Sequence, residues 1–441
     1  MPRLFGTDGV RGVAGDFLTA ELAVALGRAA TATAWEAVAA PPQVLIVRDT
    51  RESGEMLEAA LAAGVSAAGG DALLAGVLPT PAAALLTRRH GFDLAAVVSA
   101  SHNPYRDNGI KFFGPDGTKI ADDREEAIES LVEGDGGPAR RIGRVRALHG
   151  GAGDYLRELE RRFQHLELSG ARVLLDCAHG ATHAVAPEIF RRLGAQVDAI
   201  AVEPDGRNIN DGVGSTHLEA LAGRMAGDGY DVGFAFDGDG DRMLAVDRNG
   251  ALVDGDELIA LAALHLRHAG RLPGGGVAVT VMTNYGFHTA MADAGIEVAV
   301  TPVGDRHVLA ELLRRGWALG GEQSGHIIDT GFVPSGDGIA AALLTLEALA
   351  GGDLAERAAM RKLPQRLINV PVRDREALTG AAAVWAAVEA ESQALDGRGR
   401  VLVRPSGTEP LVRVMVEAPE DAECAEITDR LVAIVERDLG M

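Results

Sequence analysis

Cysteine is nearly missing from this 441-residue chain: only Cys177 and Cys424 occur, far apart and without metal or redox spacing. A reducing, cytoplasmic setting is therefore expected. Long hydrophobic runs are missing too, since no stretch approaches the roughly 18 unbroken apolar residues of a membrane span. The richest, Ile339–Leu349, is interrupted by Glu347 and flanked by Asp337 and Asp353. The first residues, Met1-Pro2-Arg3-Leu4-Phe5-Gly6, turn polar at once, so no signal peptide is expected. Positive charge is in deficit, with a net charge of −21. That balance argues against nucleic acid and anionic membranes as partners. Any anionic substrate must be met by a local cationic site inside an acidic protein. Walker loops and dinucleotide glycine fingerprints do not occur, so bound nucleotide is not implied.

What is present reads as a globular protein, 47% hydrophobic and 24% charged. Length alone suggests about three domains. Residues 1–150 alternate helix and strand: a helix capped by Thr19 over Ala20–Ala39, strands at Gln43–Val47, Ala72–Leu78, Leu94–Ser101 and Ile110–Phe113, and a helix opened by an Asp122/Glu125 capping box. Residues 151–254 repeat that rhythm and end in a hairpin around Asn249-Gly250. Residues 255–364 repeat it again. Residues 365–441 differ, with Leu363–Asp374 as a linker, a helix, a hairpin (Val401–Arg404 with Leu411–Val416) and a last helix. The expected class is α/β: three similar domains with mixed or parallel sheets, then a smaller C-terminal α+β domain.

Four stretches carry chemistry. Ala100-Ser101-His102-Asn103-Pro104 follows the apolar run Leu94–Val98, so Ser101 sits where a buried strand ends and faces the crevice that open α/β sheets use for ligands. Asp237-Gly238-Asp239-Gly240-Asp241-Arg242 follows strand Val232–Phe236, and its alternate carboxylates can converge on one hard cation such as Mg²⁺. An EF-hand loop would need glycine and glutamate where Arg242 and Arg248 stand, so that alternative fails. In Gly321-Glu322-Gln323-Ser324-Gly325-His326, extended chain would turn Glu322, Ser324 and His326 to one side, able to read sugar hydroxyls or an amine. Arg404-Pro405-Ser406-Gly407-Thr408-Glu409-Pro410, with Arg413 beyond, offers a phosphate cradle. A fifth stretch, Phe5-Gly6-Thr7-Asp8-Gly9-Val10-Arg11-Gly12, adds a cation in a glycine-rich loop that a structural turn explains equally well.

Together and in this order, the motifs resemble the α-D-phosphohexomutase superfamily from Phe5 to at least Glu417. The opening Phe-Gly-Thr-Asp-Gly-Val-Arg-Gly and the Gln-Ser-Gly of the third motif are similar to the bacterial branch acting on glucosamine phosphate. One departure is His307, where that pattern has tyrosine. The resemblance implies four domains around a central cleft and a phosphoryl group carried on Ser101. It implies one Mg²⁺ held by Asp237, Asp239, Asp241 and the phosphoserine. Glucosamine 6-phosphate and glucosamine 1-phosphate would interconvert through a 1,6-bisphosphate, feeding amino-sugar and cell-wall precursor synthesis. Lys111 and His326 occupy the general acid/base positions, and Arg11 and Arg242 supply positive field. Glu322 and Ser324 would hold the sugar, and Arg404, Ser406, Gly407, Thr408 and Arg413 its phosphate. The expected partner is a small phosphosugar, with the chain a monomer or homodimer. Glucose or mannose phosphate is the alternative substrate class, and a metal-dependent phosphohydrolase the alternative reaction.

Overall fold

A computed structural model describes residues 4–6, 8–134, 141–406 and 409–440. The chain divides into two compact units: Met1–Val281 with Val298–Arg357, and Met282–Glu297 with Ala358–Met441.

The first unit holds three sheets. One contains β1 (Val10–Val13), β2 (Gln43–Arg48), β3 (Asp71–Val77), β4 (Leu94–Val98), β5 (Asp107–Phe113) and β6 (Val145–Ala147), in the order β1-β5-β4-β2-β3-β6. Strands β4, β2, β3 and β6 run parallel, whereas β5 and β1 close one edge antiparallel. Every residue of β4 is buried, as its unbroken apolar run requires of a strand covered on both faces. The second sheet orders β7 (Arg172–Asp176), β8 (Gln196–Ile200), β9 (Val232–Phe236), β10 (Met243–Asp247) and β11 (Leu252–Val253) as β11-β10-β9-β7-β8. The third orders β12 (Gly276–Thr280), β13 (Glu297–Thr301), β14 (Leu319–Gly321) and β15 (Ile327–Asp329) as β13-β12-β14-β15. In the second unit, β16 (Gln365–Pro371), β17 (Arg400–Pro405) and β18 (Leu411–Glu417) form an antiparallel sheet, with β18 central. Val370, Val412, Val414, Ile427 and Leu431 are buried in its core. Three mixed α/β sheets and a smaller antiparallel domain are thus the architecture, and no helix among the described residues is long and apolar enough to cross a membrane.

Several local expectations change. The glycine-rich opening is not only a loop, because Val10–Val13 pairs with β5 and sets Arg11 opposite Gly109. Strand β4 stops at Val98, so Ser99–Ser101 lie past its end. Leu363–Asp374 is no mere linker, since seven of its residues pair in full register with β18. The capping box at Asp122 is missing: Ala121 is the N-cap of Asp122–Val132, and Glu125 instead binds Arg306 at 2.9 Å. A long-range ion pair outcompetes the local bond. The Thr19 cap is present, its hydroxyl accepting from Leu22 N–H at 3.2 Å.

Candidate active site

Ser101 is buried with φ at 53°, in the left-handed region that side-chain-bearing residues seldom adopt. Its hydroxyl donates to Asp237 Oδ2 at 2.6 Å, and its N–H donates to Ser99 Oγ at 3.0 Å. Ser99 in turn donates to Asp49 Oδ2 at 2.6 Å. Beneath the loop lies Arg51, wholly buried and paired with Asp49 at 2.8 Å. Its guanidinium donates to the carbonyls of Ser101, Asn103, Pro104 and Asp107. Sequence reasoning missed Arg51, although Asp49-Thr50-Arg51 follows β2 as Ser101 follows β4. The strand-end argument applied to one serves for both.

The loop after β9 brings Asp237, Asp239 and Asp241 together, with one ligand atom from each lying within 4.8 Å of the others and all three residues buried. Asp239 Oδ2 accepts from Thr80 Oγ1 at 2.6 Å and from Lys111 Nζ at 2.7 Å. Asp239 Oδ1 and Asp241 Oδ1 are buried without a hydrogen bond. Burial, reinforced by the charges of Asp241 and Asp239, pushes the Asp237 carboxyl well above the ordinary range. Buried oxygens lacking donors, in a set with excess negative charge, fit a divalent hard cation. Gly238 permits the approach of this loop to the serine, because a Cβ there would stand 2.6 Å from Ser101 O.

Lys111 is buried within 3.9 Å of Asp8 and 3.8 Å of Asp241 as well. Burial works against its charge, but Asp239, Asp8 and Asp241 outweigh it and hold the ammonium above its ordinary pKa. Burial likewise works against charge on His326, yet Asp241 and Asp305 raise its pKa. The ring Nε2 faces Gly336 N–H at 3.1 Å, and Nδ1 stands 3.7 Å from Asp241. Asp8, not among the expected site residues, pairs with Arg11 and Lys119, and Lys119 bridges to Asp305 at 2.6 Å.

Asp8, Lys119, Asp241 and Asp305 border a cavity of about 540 Å³ whose walls also include Arg11, His102, Arg242, His307, Glu322 and His326, with the buried Ser101, Asp237, Asp239 and Lys111 behind that wall. Arg11 Nε and Arg242 Nε are buried without a hydrogen bond, so cationic capacity is left over in the wall. Glu322 Oε1 accepts from Gly304 N–H at 3.0 Å. Ser324 is the exception to the expected common face. Residues 322–325 close a turn through Gly325 N–H to Glu322 O, and the buried Ser324 hydroxyl does not line the cavity. Alternation needs extended backbone, and the turn removes it.

In the second unit, Arg404 on β17 lies directly across from Arg413 on β18. Burial and the Arg413 charge lower the Arg404 pKa, so the pair calls for an anion. Ser406 is buried, and its hydroxyl accepts from Glu409 N–H at 3.3 Å. Arg375, also missed, donates to Ser406 O at 2.9 Å. Gly407 and Thr408 lie outside the described residues.

The fold is that of the phosphohexomutases. Models of phosphoglucomutase/phosphomannomutase match domain I over residues 2–136, domain II over 153–250, domain III over 254–367 and the C-terminal domain over 367–434. A solved phosphoglucomutase/phosphomannomutase family protein from Burkholderia thailandensis superposes with a TM-score of 0.83 at 24% identity, covering 100% of this chain and 99% of that one. Aspergillus fumigatus N-acetylphosphoglucosamine mutase, solved with GlcNAc-6P and magnesium, gives 0.65 at 18% identity, covering 99% and 96%. The phosphoglucosamine mutase of Desulforudis audaxviator is 49% identical over 99% of this chain and 98% of that protein. That of Mycolicibacterium paratuberculosis is 50% identical over 99% of each. The chain belongs to the phosphoglucomutase/phosphomannomutase family, in its phosphoglucosamine mutase branch.

Proposed function

We propose that this protein interconverts glucosamine 6-phosphate and glucosamine 1-phosphate, with Ser101 as phosphoryl carrier and glucosamine 1,6-bisphosphate as intermediate. The observation that carries the reading is the Ser101 hydroxyl, 2.6 Å from Asp237 within the buried carboxylate set. Asp237, Asp239 and Asp241, with the phosphoserine, would hold one Mg²⁺, which supplies charge neutralisation at the transferring phosphoryl group.

In the first half-reaction the P–Oγ bond of phosphoserine breaks and a bond from phosphorus to the sugar O1 forms. The O1 proton ends on Ser101 Oγ. After the bisphosphate turns over, its P–O6 bond breaks, P–Oγ forms again, and the Oγ proton ends on O6. We assign the proton transfers to Lys111 and His326, both buried beside the carboxylate set, with Lys111 Nζ 2.7 Å from Asp239 and His326 Nδ1 3.7 Å from Asp241. Arg11 and Arg242 act as positive field on the phosphoryl oxygens. Glu322 and Ser324 would accept from the substrate amine. Arg404, Arg413 and Ser406, with Gly407 and Thr408, would clamp the non-transferring phosphate. Domains at 1–150, 151–254, 255–364 and 365–441 would each contribute one motif. Both cysteines are buried and free, which suits a reducing cytoplasm.

The test is a turnover assay with glucosamine 6-phosphate, catalytic 1,6-bisphosphate and Mg²⁺. Glucosamine 1-phosphate should accumulate with no inorganic phosphate released. Phosphate release would instead indicate a hydrolase, and faster conversion of glucose or mannose phosphate the other substrate class.

A further inference from the structure

The Ser101 carbonyl has two donors that come from opposite sides of the site. Arg51 Nη2, from the loop after β2, donates to Ser101 O at 2.9 Å and to Asn103 O at 2.8 Å. Asn210 Nδ2, from the stretch between β8 and β9, donates to the same two carbonyls at 2.9 and 3.2 Å. Both side chains are buried, Arg51 completely and Asn210 at 8% exposure. Asn210 is itself left-handed, with φ at 59°, and its own N–H donates to Ala178 O at 3.0 Å. Its side chain is therefore aimed by a backbone anchor that does not involve Ser101. The backbone of Gly238 completes the ring, since a Cβ there would come 2.8 Å from Asn210 Nδ2.

We infer that Asn210 and Arg51 are positioning residues, a paired clamp that holds the serine loop in the backbone state pointing Oγ at the carboxylate set. The inference rests on the reading of Ser101 as phosphoryl carrier. A left-handed serine persists only where its surroundings over-determine it, and here they do so through the carbonyl. Without the clamp Ser101 can relax to an ordinary φ, which swings the hydroxyl away from Asp237. Neither residue touches the cavity that would take the sugar. Their loss should therefore act on the transfer step and not on substrate binding.

Arg51 is a poor first variant, because its removal leaves Asp49 buried without its cation. Asn210→Gly keeps the left-handed backbone freely accessible and deletes only the clamp, while Asn210→Asp keeps the shape and places an acceptor against two carbonyls. Three quantities are measured on full-length protein: kcat and KM for glucosamine 6-phosphate, the rate at which glucosamine 1,6-bisphosphate adds a phosphoryl mass to Ser101, and the melting temperature. Both variants should lower kcat and the labelling rate together by about tenfold to a hundredfold, with KM within about twofold. A residue needed only for its turn would leave Asn210→Gly fully active. Wild-type kcat and labelling in both variants, or a raised KM with unchanged kcat, overturns the clamp. Failure of the wild type to take up a phosphoryl mass at Ser101 overturns the carrier reading, and the clamp with it.

Discussion

In the proposed reaction, single residues divide into those that meet the transferring phosphoryl group and those that keep buried charge in balance. Ser101 belongs to the first group: Ser101→Ala should fold, lose nearly all turnover and lose a phosphoryl-sized mass by intact mass spectrometry. Wild-type turnover in that variant would remove Ser101 from the mechanism. Lys111 belongs to both groups. It faces Asp239, Asp8 and Asp241 from a fully buried position, so Lys111→Met takes from Asp239 its cation at 2.7 Å, while Asp8 keeps Arg11 and Lys119 and Asp241 keeps His326. The expected cost is about 3–5 kcal/mol in denaturant unfolding, with activity lost as well. An unchanged unfolding midpoint would mean that Asp239 finds other compensation. Ser101 and the aspartates were legible in the chain because turn formers, glycines and carboxylates declare themselves at short spacing, whereas Lys111 entered only through the family resemblance. Arg51 follows a strand as Ser101 does, so its place was open to the same argument, but the four carbonyls it meets were not legible along the chain.

At the scale of elements, the loop from Asp237 to Asp241 is where a bound cation would matter, since three buried carboxylates converge there. Its two carboxylate oxygens without donors make it an unfavourable structure until a cation arrives. Chelation should abolish turnover and added Mg²⁺ restore it, with a rise in melting temperature on addition that follows mass action. Full activity after exhaustive chelation would refute the metal role. The β17–β18 hairpin is a second such element, holding Arg404 against Arg413 across the ladder. Like charges directly opposed destabilise a hairpin, and in the proposed reading a bound phosphate offsets that cost. Arg404→Ala should raise KM for both monophosphates about tenfold to a hundredfold, the worth of a charge-assisted hydrogen bond of roughly 1.5–3 kcal/mol. The rate of Ser101 labelling at saturating bisphosphate should change little. A KM within twofold of wild type for both substrates would take the hairpin out of phosphate binding.

For the molecule as a whole, the first unit is tied internally by buried polar contacts between segments remote in the chain. Tyr155 donates to both oxygens of Asp337 at 2.9 Å, 182 residues away, and Asp337 also caps the helix Gly338–Leu349. Burial raises the Asp337 pKa to about 6. The sign follows from linkage: a carboxyl whose pKa is higher folded than unfolded favours the fold while protonated. Its stabilising contribution is complete below about pH 4 and is lost as pH rises through about 6, a change of roughly 3 kcal/mol. Asp337→Asn removes the ionisation. Relative to wild type, the variant should therefore gain stability between pH 4.5 and pH 7, read as a growing difference in melting temperature. A pH-independent difference would show that Asp337 titrates normally.

Local order was decided by the sequence itself. Unbroken apolar runs such as Leu94–Val98, caps such as Thr19 and the Asn249-Gly250 turn act over a few residues, so their physics can be read along the chain. The same holds for the alternating strands and helices that imply three α/β sheets, and for each motif taken as a local group of donors and acceptors. Tertiary structure alone decided which groups meet. Ser101 finds Asp237 across 136 residues, Lys111 finds Asp239 across 128, and Glu125 abandons its helix cap for Arg306 across 181. It also decided the pairing of Gln365–Pro371 and the turn at residues 322–325, which overrode the expected alternation. Contact energies of this kind depend on proximity in space, which spacing along a chain does not encode.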